Sequence, residues 1–173
     1  MSLRGRLDRH RERGQSMTEF ALIAPLFFLM LFAVIQLGFL LGGQIAISNA
    51  VRETARYAAT VPTATAAQVL TELTTRQLPK AVPGFLASNV VVGPTATRVD
   101  YCSYPNPNDA AGFASLSIKV RVTAVYRHSL FVPLVSNILD GSDGATDGAL
   151  RATVTEEMRV ENPRLTTTGV PTC

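Results

Sequence analysis

The sequence is short of charge. Asp, Glu, Lys and Arg make up only 17% of its 173 residues, where about 25% is typical of a soluble globular chain. The deficit is local: no charged residue stands between Glu19 and Arg52. Outside that gap the composition is ordinary. Histidine is scarce too. His10 and His128 are the two in the chain, and no Cys/His cluster has the spacing of a metal site. There is no glycine-rich phosphate loop, and no residue is singled out as a nucleophile with a base beside it. These absences leave no recognisable enzyme class, so we expect no catalysis, no cofactor and no small-molecule substrate.

Two cysteines remain, Cys102 and Cys173. In the cytoplasm such thiols stay reduced. Outside it they could pair and close a long loop, worth ~2–4 kcal/mol. The sequence does not show that they meet, and leaves open that both stand unpaired.

The uncharged gap holds a long apolar run. Phe20–Gly43 contains 24 residues, of which Gln36 is the one strongly polar member. A bilayer core needs about 20 apolar helical residues, so the run is long enough to cross one. A secretory signal peptide has an apolar core of about 7–15 residues, and this run exceeds it. Arg4, Arg6, Arg9, Arg11 and Arg13 crowd the residues before it, against Asp8 and Glu12. Such a cluster reads as a topology signal with the N-terminus inside, rather than as a nucleic-acid-binding arm. The net charge of +3 therefore implies no nucleic-acid partner. Membrane lipid is the expected one.

The helical pattern continues past the membrane through QIAISNAVRETARYAAT, with Pro62 as a stop. Phe20–Thr60 would make a helix of about 60 Å, of which half would protrude. Pro25 predicts a local kink, and Gly42-Gly43 is a candidate break. Small residues recur every fourth position at Gly38, Gly42, Ala46, Ala50, Thr54 and Ala58. Gly38-x-x-x-Gly42 is a pair of the kind that lets helix backbones approach closely. An i+4 row drifts by about 40° per step, so the stripe spirals and suits helices that cross or wrap.

Beyond the long helix, apolar spacing over Thr65–Leu78 predicts a second, amphipathic helix ending before Pro79. Asn89–Val92 and Thr97–Cys102 read as short strands around Gly93-Pro94, and Tyr104–Asp109 as a loop. Ser115–Arg127 alternates strictly, with Leu116, Ile118, Val120, Val122, Ala124 and Tyr126 on one side. Leu150–Val160 does the same, with Glu156 interrupting its apolar side. Both patterns predict strands of an antiparallel sheet. Leu130–Leu139, apolar around Pro133, reads as a short helix or lip. The loop Asp140–Gly148 carries three aspartates but lacks the EF-hand spacing and its closing Glu, so it reads as a solvated turn.

The junction before the apolar run is the part that speaks to function. It reads Arg13-Gly14-Gln15-Ser16-Met17-Thr18-Glu19-Phe20. A carboxylate at the edge of a membrane helix is costly, with ~2.5–3.5 kcal/mol quoted for a charge at the bilayer centre and less near the interface. Glu19 therefore calls for a role. Gly14-x-x-x-x-Glu19-Phe20 before an apolar helix resembles the class III signal of type IV pilins and related pseudopilins. The resemblance implies cleavage by a prepilin peptidase between Gly14 and Gln15 on the cytoplasmic side. It also implies that Glu19 pairs with the free α-amine of a neighbouring subunit. Such a pairing would offset two desolvation costs and fix axial register.

A narrower group matches more of the chain. Glu19-Phe20-Ala21-Leu22 with Pro25, followed by Ala50-Val51-Arg52-Glu53-Thr54-Ala55-Arg56-Tyr57-Ala58-Ala59, resembles the TadE-like pseudopilins of the tight-adherence (Flp, type IVb) pilus system. The family often has Gly where Thr54 stands. The resemblance implies an α+β pilin-like protein, divided into a basic leader at 1–14, a long helix at 15–60 and an extracytoplasmic domain at 61–173. It also implies, as partners, other pilins and pseudopilins and the pilus assembly platform, with the protein held in the bacterial inner membrane or at the base of a surface pilus. The competing reading is a single-pass anchored binding or scaffold protein that is neither processed nor polymerised.

Overall fold

A computed structural model describes residues 4–61, 63–105, 116–144, 147–161 and 170–173. The side chains of residues 4–15, 105, 116, 133–135 and 143 lie outside that description, as do much of the 104–109 loop and most of the tail after Glu161. Helix α1, Arg4–Thr60, spans 57 residues, about 86 Å at 1.5 Å per residue. It runs through Gly14, Pro25 and the Gly42-Gly43 pair without interruption. The helix continues as its sequence pattern predicts, and the candidate break at the glycines does not occur. Each glycine weakens a helix by only about 1 kcal/mol, and at Gly43 the helix is already held against the rest of the fold.

After α1 the chain reverses into α2, Ala66–Glu72, which Thr65 opens with a capping box. The Thr65 hydroxyl accepts from the Gln68 N–H at 3.3 Å, and the Gln68 side-chain carbonyl accepts from the Thr65 N–H at 2.9 Å. The sequence suggested a helix ending before Pro79, but the helical stretch runs on past it. A π-helical turn, Leu73–Gln77, leads into α3, Leu78–Ala81. The Leu78 N–H reaches back to the Leu73 carbonyl. That wider turn lets the chain pass Pro79, whose ring would otherwise crowd a carbonyl one regular turn earlier.

The sheet has three antiparallel strands in the order β1-β2-β3: β1 Arg98–Pro105, β2 Leu116–Ser129 and β3 Ala149–Arg159. The expected strand at Asn89–Val92 is instead a 3-10 turn, Ala87–Asn89, followed by single bridges Val90–Tyr126 and Val92–Thr97. The Gly93-Pro94 turn follows at once and folds Thr97 back onto the Val91 carbonyl at 3.0 Å. Too few residues are left for a ladder. At the other end of the pattern, β1 continues past Cys102 to Pro105.

The alternation in β2 places its apolar side chains as the sequence requires. Ile118, Val120, Val122 and Ala124 are fully buried, and Tyr126 nearly so. They face Ile47, Val51, Ala55 and Ala58 of α1, also fully buried, with Val69, Leu73 and Leu78 closing the side. The opposite face of β2 is wet only in part. Arg121 and Lys119 share Glu157, at 2.6 and 3.8 Å, while Thr123 is buried and bonded to Thr155. The architecture is α+β: a long apolar helix, further short helices and a small antiparallel sheet.

Candidate functional site: the anchor helix and its clasp

The domain does not grip α1 along its whole length. From Ser16 to Ile35 every large apolar side chain but Leu29 is exposed, including Phe20, Leu22, Ile23, Leu26 and Phe27. The grip begins at Gln36, which is 1% exposed. From there a stripe of Gln36, Gly43, Ile47, Ala50, Thr54 and Ala58 is buried against the domain, following the three- and four-residue steps of one helix face.

Three contacts form the lower end of this clasp. The Gln36 Oε1 accepts from the Val132 N–H at 2.9 Å. Phe39 meets Phe131 edge-to-face, with centroids 6.0 Å apart. The His128 ring lies directly on Gly43, where a Cβ would overlap it. Burial lowers the pKa of His128 from the usual 6.5, and the ring packs against Tyr126 with centroids 5.1 Å apart. Gly43 is thus required for close approach, whereas Gly42 faces open space.

Higher up, the alanine-rich block meets the sheet. Ala50, Ala55, Ala58 and Ala59 are buried, and their small size lets the helix lie close to β2. Thr54 is buried as well, and its hydroxyl donates to the Ala50 carbonyl at 2.8 Å, so its polar atom is satisfied where Gly would have none. Arg52 reaches Glu156 at 3.7 Å. This gives Glu156 its reason for interrupting the apolar side of β3. Arg56 pairs with Glu53 one turn earlier, at 3.7 Å. The Glu161 N–H donates to the Ala59 carbonyl at 3.0 Å and ties the end of β3 to the helix.

The residues singled out in the sequence fall in different places. Glu19 and Phe20 lie exposed on the uncovered half of α1. Gly14 and Gln15 are helical in backbone, with side chains outside the described residues. In the small-residue row, Gly38 and Gly42 face open space, Ala46 is half-buried, and Ala50 is buried in the protein's own domain. The row spirals from an open side of the helix into the clasp. Cys102 and Cys173 are joined by a disulfide. It fastens the C-terminal segment beside β1, where the Ser103 N–H donates to the Pro171 carbonyl at 2.8 Å and the Cys173 N–H to the Ser103 carbonyl at 2.9 Å.

The aspartate loop is occupied by the protein itself. The Asp140 Oδ1 accepts from the Gly148 N–H at 2.7 Å, and Asp147 pairs with Arg127 and Arg151 at 3.5 and 3.6 Å. No group of three or more His, Cys, Asp or Glu is placed to hold a metal among the described residues. Sequence reading missed the pairing of Gly43 with His128 and the reach of residues 131–132 to the helix. The lone Gln36 in an apolar run was a signal for the second, because a buried amide requires a partner.

The fold is therefore one helix long and apolar enough to cross a membrane, clasped over its second half by a small α+β domain. Residues 14–56 match the family model described as TadE, TadE-like protein. The similarity covers the long helix and stops short of the rest of the domain. No curated protein and no solved structure matches the chain.

Proposed function

We propose that this protein is a minor pseudopilin, a non-enzymatic structural subunit of a tight-adherence pilus. It is anchored in the bacterial inner membrane with its N-terminus inside and its domain outside, and a prepilin peptidase cuts it after Gly14. Its partners are that peptidase, other pilins and pseudopilins, and the assembly platform. One observation carries the reading. The TadE-matched segment opens at Gly14, and Glu19 follows at the foot of a helical half whose large apolar side chains, Leu29 apart, are exposed. Such a surface suits lipid in the membrane and neighbouring helices in a filament. The Arg-rich leader supports the orientation, and the Cys102–Cys173 disulfide suits an oxidising compartment outside the cytoplasm.

The test is the intact mass and N-terminal sequence of the protein from its native membranes, with and without active prepilin peptidase. A chain that starts at Gln15 only when the peptidase is active is the expected result. A chain that keeps Gly14 in both strains would overturn processing and favour the static scaffold. With processing established, Glu19→Ala should leave cleavage and membrane insertion intact and abolish co-purification with other pilus subunits.

A further inference from the structure

The span has two edges, and the lower one is set by charge. Glu19 is the last charged residue before the apolar run. From Phe20 to Ile35, below the clasp, there are 16 residues, about 24 Å of helix. A bilayer core is about 30 Å thick and takes about 20 helical residues. The upper edge therefore falls near Phe39, one turn above Gln36. At this level the domain already touches the helix, through Val132 at Gln36 and Phe131 at Phe39. The lowest part of the domain is thus at the depth of the outer hydrocarbon boundary.

The surface there has the matching chemistry. Phe131 is 55% exposed and Ile138, in helix α4 (Pro133–Leu139), is 72% exposed. Phe131 is left open beside the helix at Phe39, and Ile138 follows it seven residues on; exposed aromatic and aliphatic groups of this kind suit the interface, where aromatic rings in particular collect. Polar groups follow immediately: Asp140 caps the next loop, and Arg127, Arg151 and Asp147 form an ion-paired cluster behind it. Gln36 fits the same picture. An amide near the hydrocarbon edge is costly unless covered or bonded; the Val132 N–H occupies its carbonyl oxygen, and the Nε2, which has no hydrogen-bond partner among the described residues, is buried under the domain.

We propose that the segment Leu130–Leu139 is a membrane-seating lip, which inserts Phe131 and Ile138 into the outer-leaflet interface of the bilayer that α1 crosses. The lip holds the domain at a fixed height and orientation on the membrane before any assembly. This inference rests on the membrane-spanning reading of α1.

The protein has no tryptophan, so single Trp variants of the full chain report one site each. Phe28→Trp marks the span, Phe131→Trp and Ile138→Trp mark the lip, and Val92→Trp, at a site 70% exposed, is a control on the domain surface. Each is reconstituted in phosphatidylcholine vesicles with and without bromine on the upper acyl chain, and an intact disulfide checks folding. The expected result is bromine-dependent loss of fluorescence at 28, 131 and 138, with none at 92. Loss at 28 alone would overturn the lip and leave the span standing. Loss at none of the sites would overturn the span and the lip with it. Loss at all four would mean that the domain collapses onto lipid without a defined seat, which also overturns the lip.

Discussion

The two halves of α1 are built from the same kind of residue and meet opposite fates. Below Gln36, phenylalanine, isoleucine and every leucine but Leu29 are exposed. Above it, alanine, valine and a single isoleucine disappear against β2. Hydrophobicity alone does not separate the halves; size and spacing do. Large side chains all round a helix suit lipid or other helices, while small ones on one stripe allow a sheet to approach. The clasp is thus a property of the upper half, and its lower end is at Gln36.

The sharpest way to break this comparison is one substitution made in both halves. Ile47→Ala removes a fully buried side chain and should destabilise the domain by ~2–5 kcal/mol. Ile23→Ala, at a site 63% exposed, should leave domain melting unchanged. Thermal unfolding of the full chain in detergent, followed by near-UV circular dichroism, distinguishes them. Equal losses at both sites would mean that the lower half also packs on the domain.

Next in size is the disulfide. It joins residues 71 apart in sequence and fastens the C-terminal strip to β1. Reducing it, or replacing both cysteines by serine, should cost ~2–4 kcal/mol of domain stability, read as a lower midpoint in urea. Membrane insertion of α1 should not change. A loss of insertion as well would contradict the independence of the two halves.

The adjacent glycines give a finer contrast at the border itself. Gly43→Ala drives a methyl into the His128 ring and should cost ~1–3 kcal/mol. Gly42→Ala meets nothing and should gain ~0.5–1 kcal/mol through helix propensity. Opposite signs from neighbouring, chemically identical changes would fix the domain-facing side of the helix to one residue. Melting of the two variants side by side is sufficient.

The sequence revealed these elements unequally, for physical reasons. The long apolar helix and the two long strands were legible because their patterns are strong: the run around Phe28 is unbroken, and β2 alternates from Leu116 to Tyr126. The Glu19 junction stands out in the sequence as a carboxylate beside a long apolar run, and the structure leaves that residue exposed. The π turn before Pro79 was not, because its cause is a carbonyl clash relieved by a local widening that leaves no mark in composition. The clasp was half legible. Gln36 stood out, but its partner is a backbone N–H 96 residues away, and backbone groups carry no sequence signature. Gly43 looked like a helix breaker until His128 supplied the reason for its lack of a side chain.

The smallest effect, and the last test of the border, is in pH. His128 is half-buried on Gly43, its Nε2 has no hydrogen-bond partner among the described residues, and none of their ion pairs includes it. Burial holds its folded pKa below the ordinary 6.5. The unfolded chain therefore binds this proton at higher pH than the folded one. Above about pH 6.5 neither state is protonated, and the full stability is present. As pH falls below that and through the folded pKa, the unfolded state gains a proton that the folded state resists, and stability is lost. His128→Gln should remove this slope while the acidic groups titrate as before. The informative quantity is the difference in melting temperature between wild type and variant, followed from about pH 7.5 to about pH 5. A difference that grows on acidification would place His128 as a dry contact between domain and helix. A flat difference would mean that water reaches the ring, and that the clasp closes higher up the helix, at Ile47.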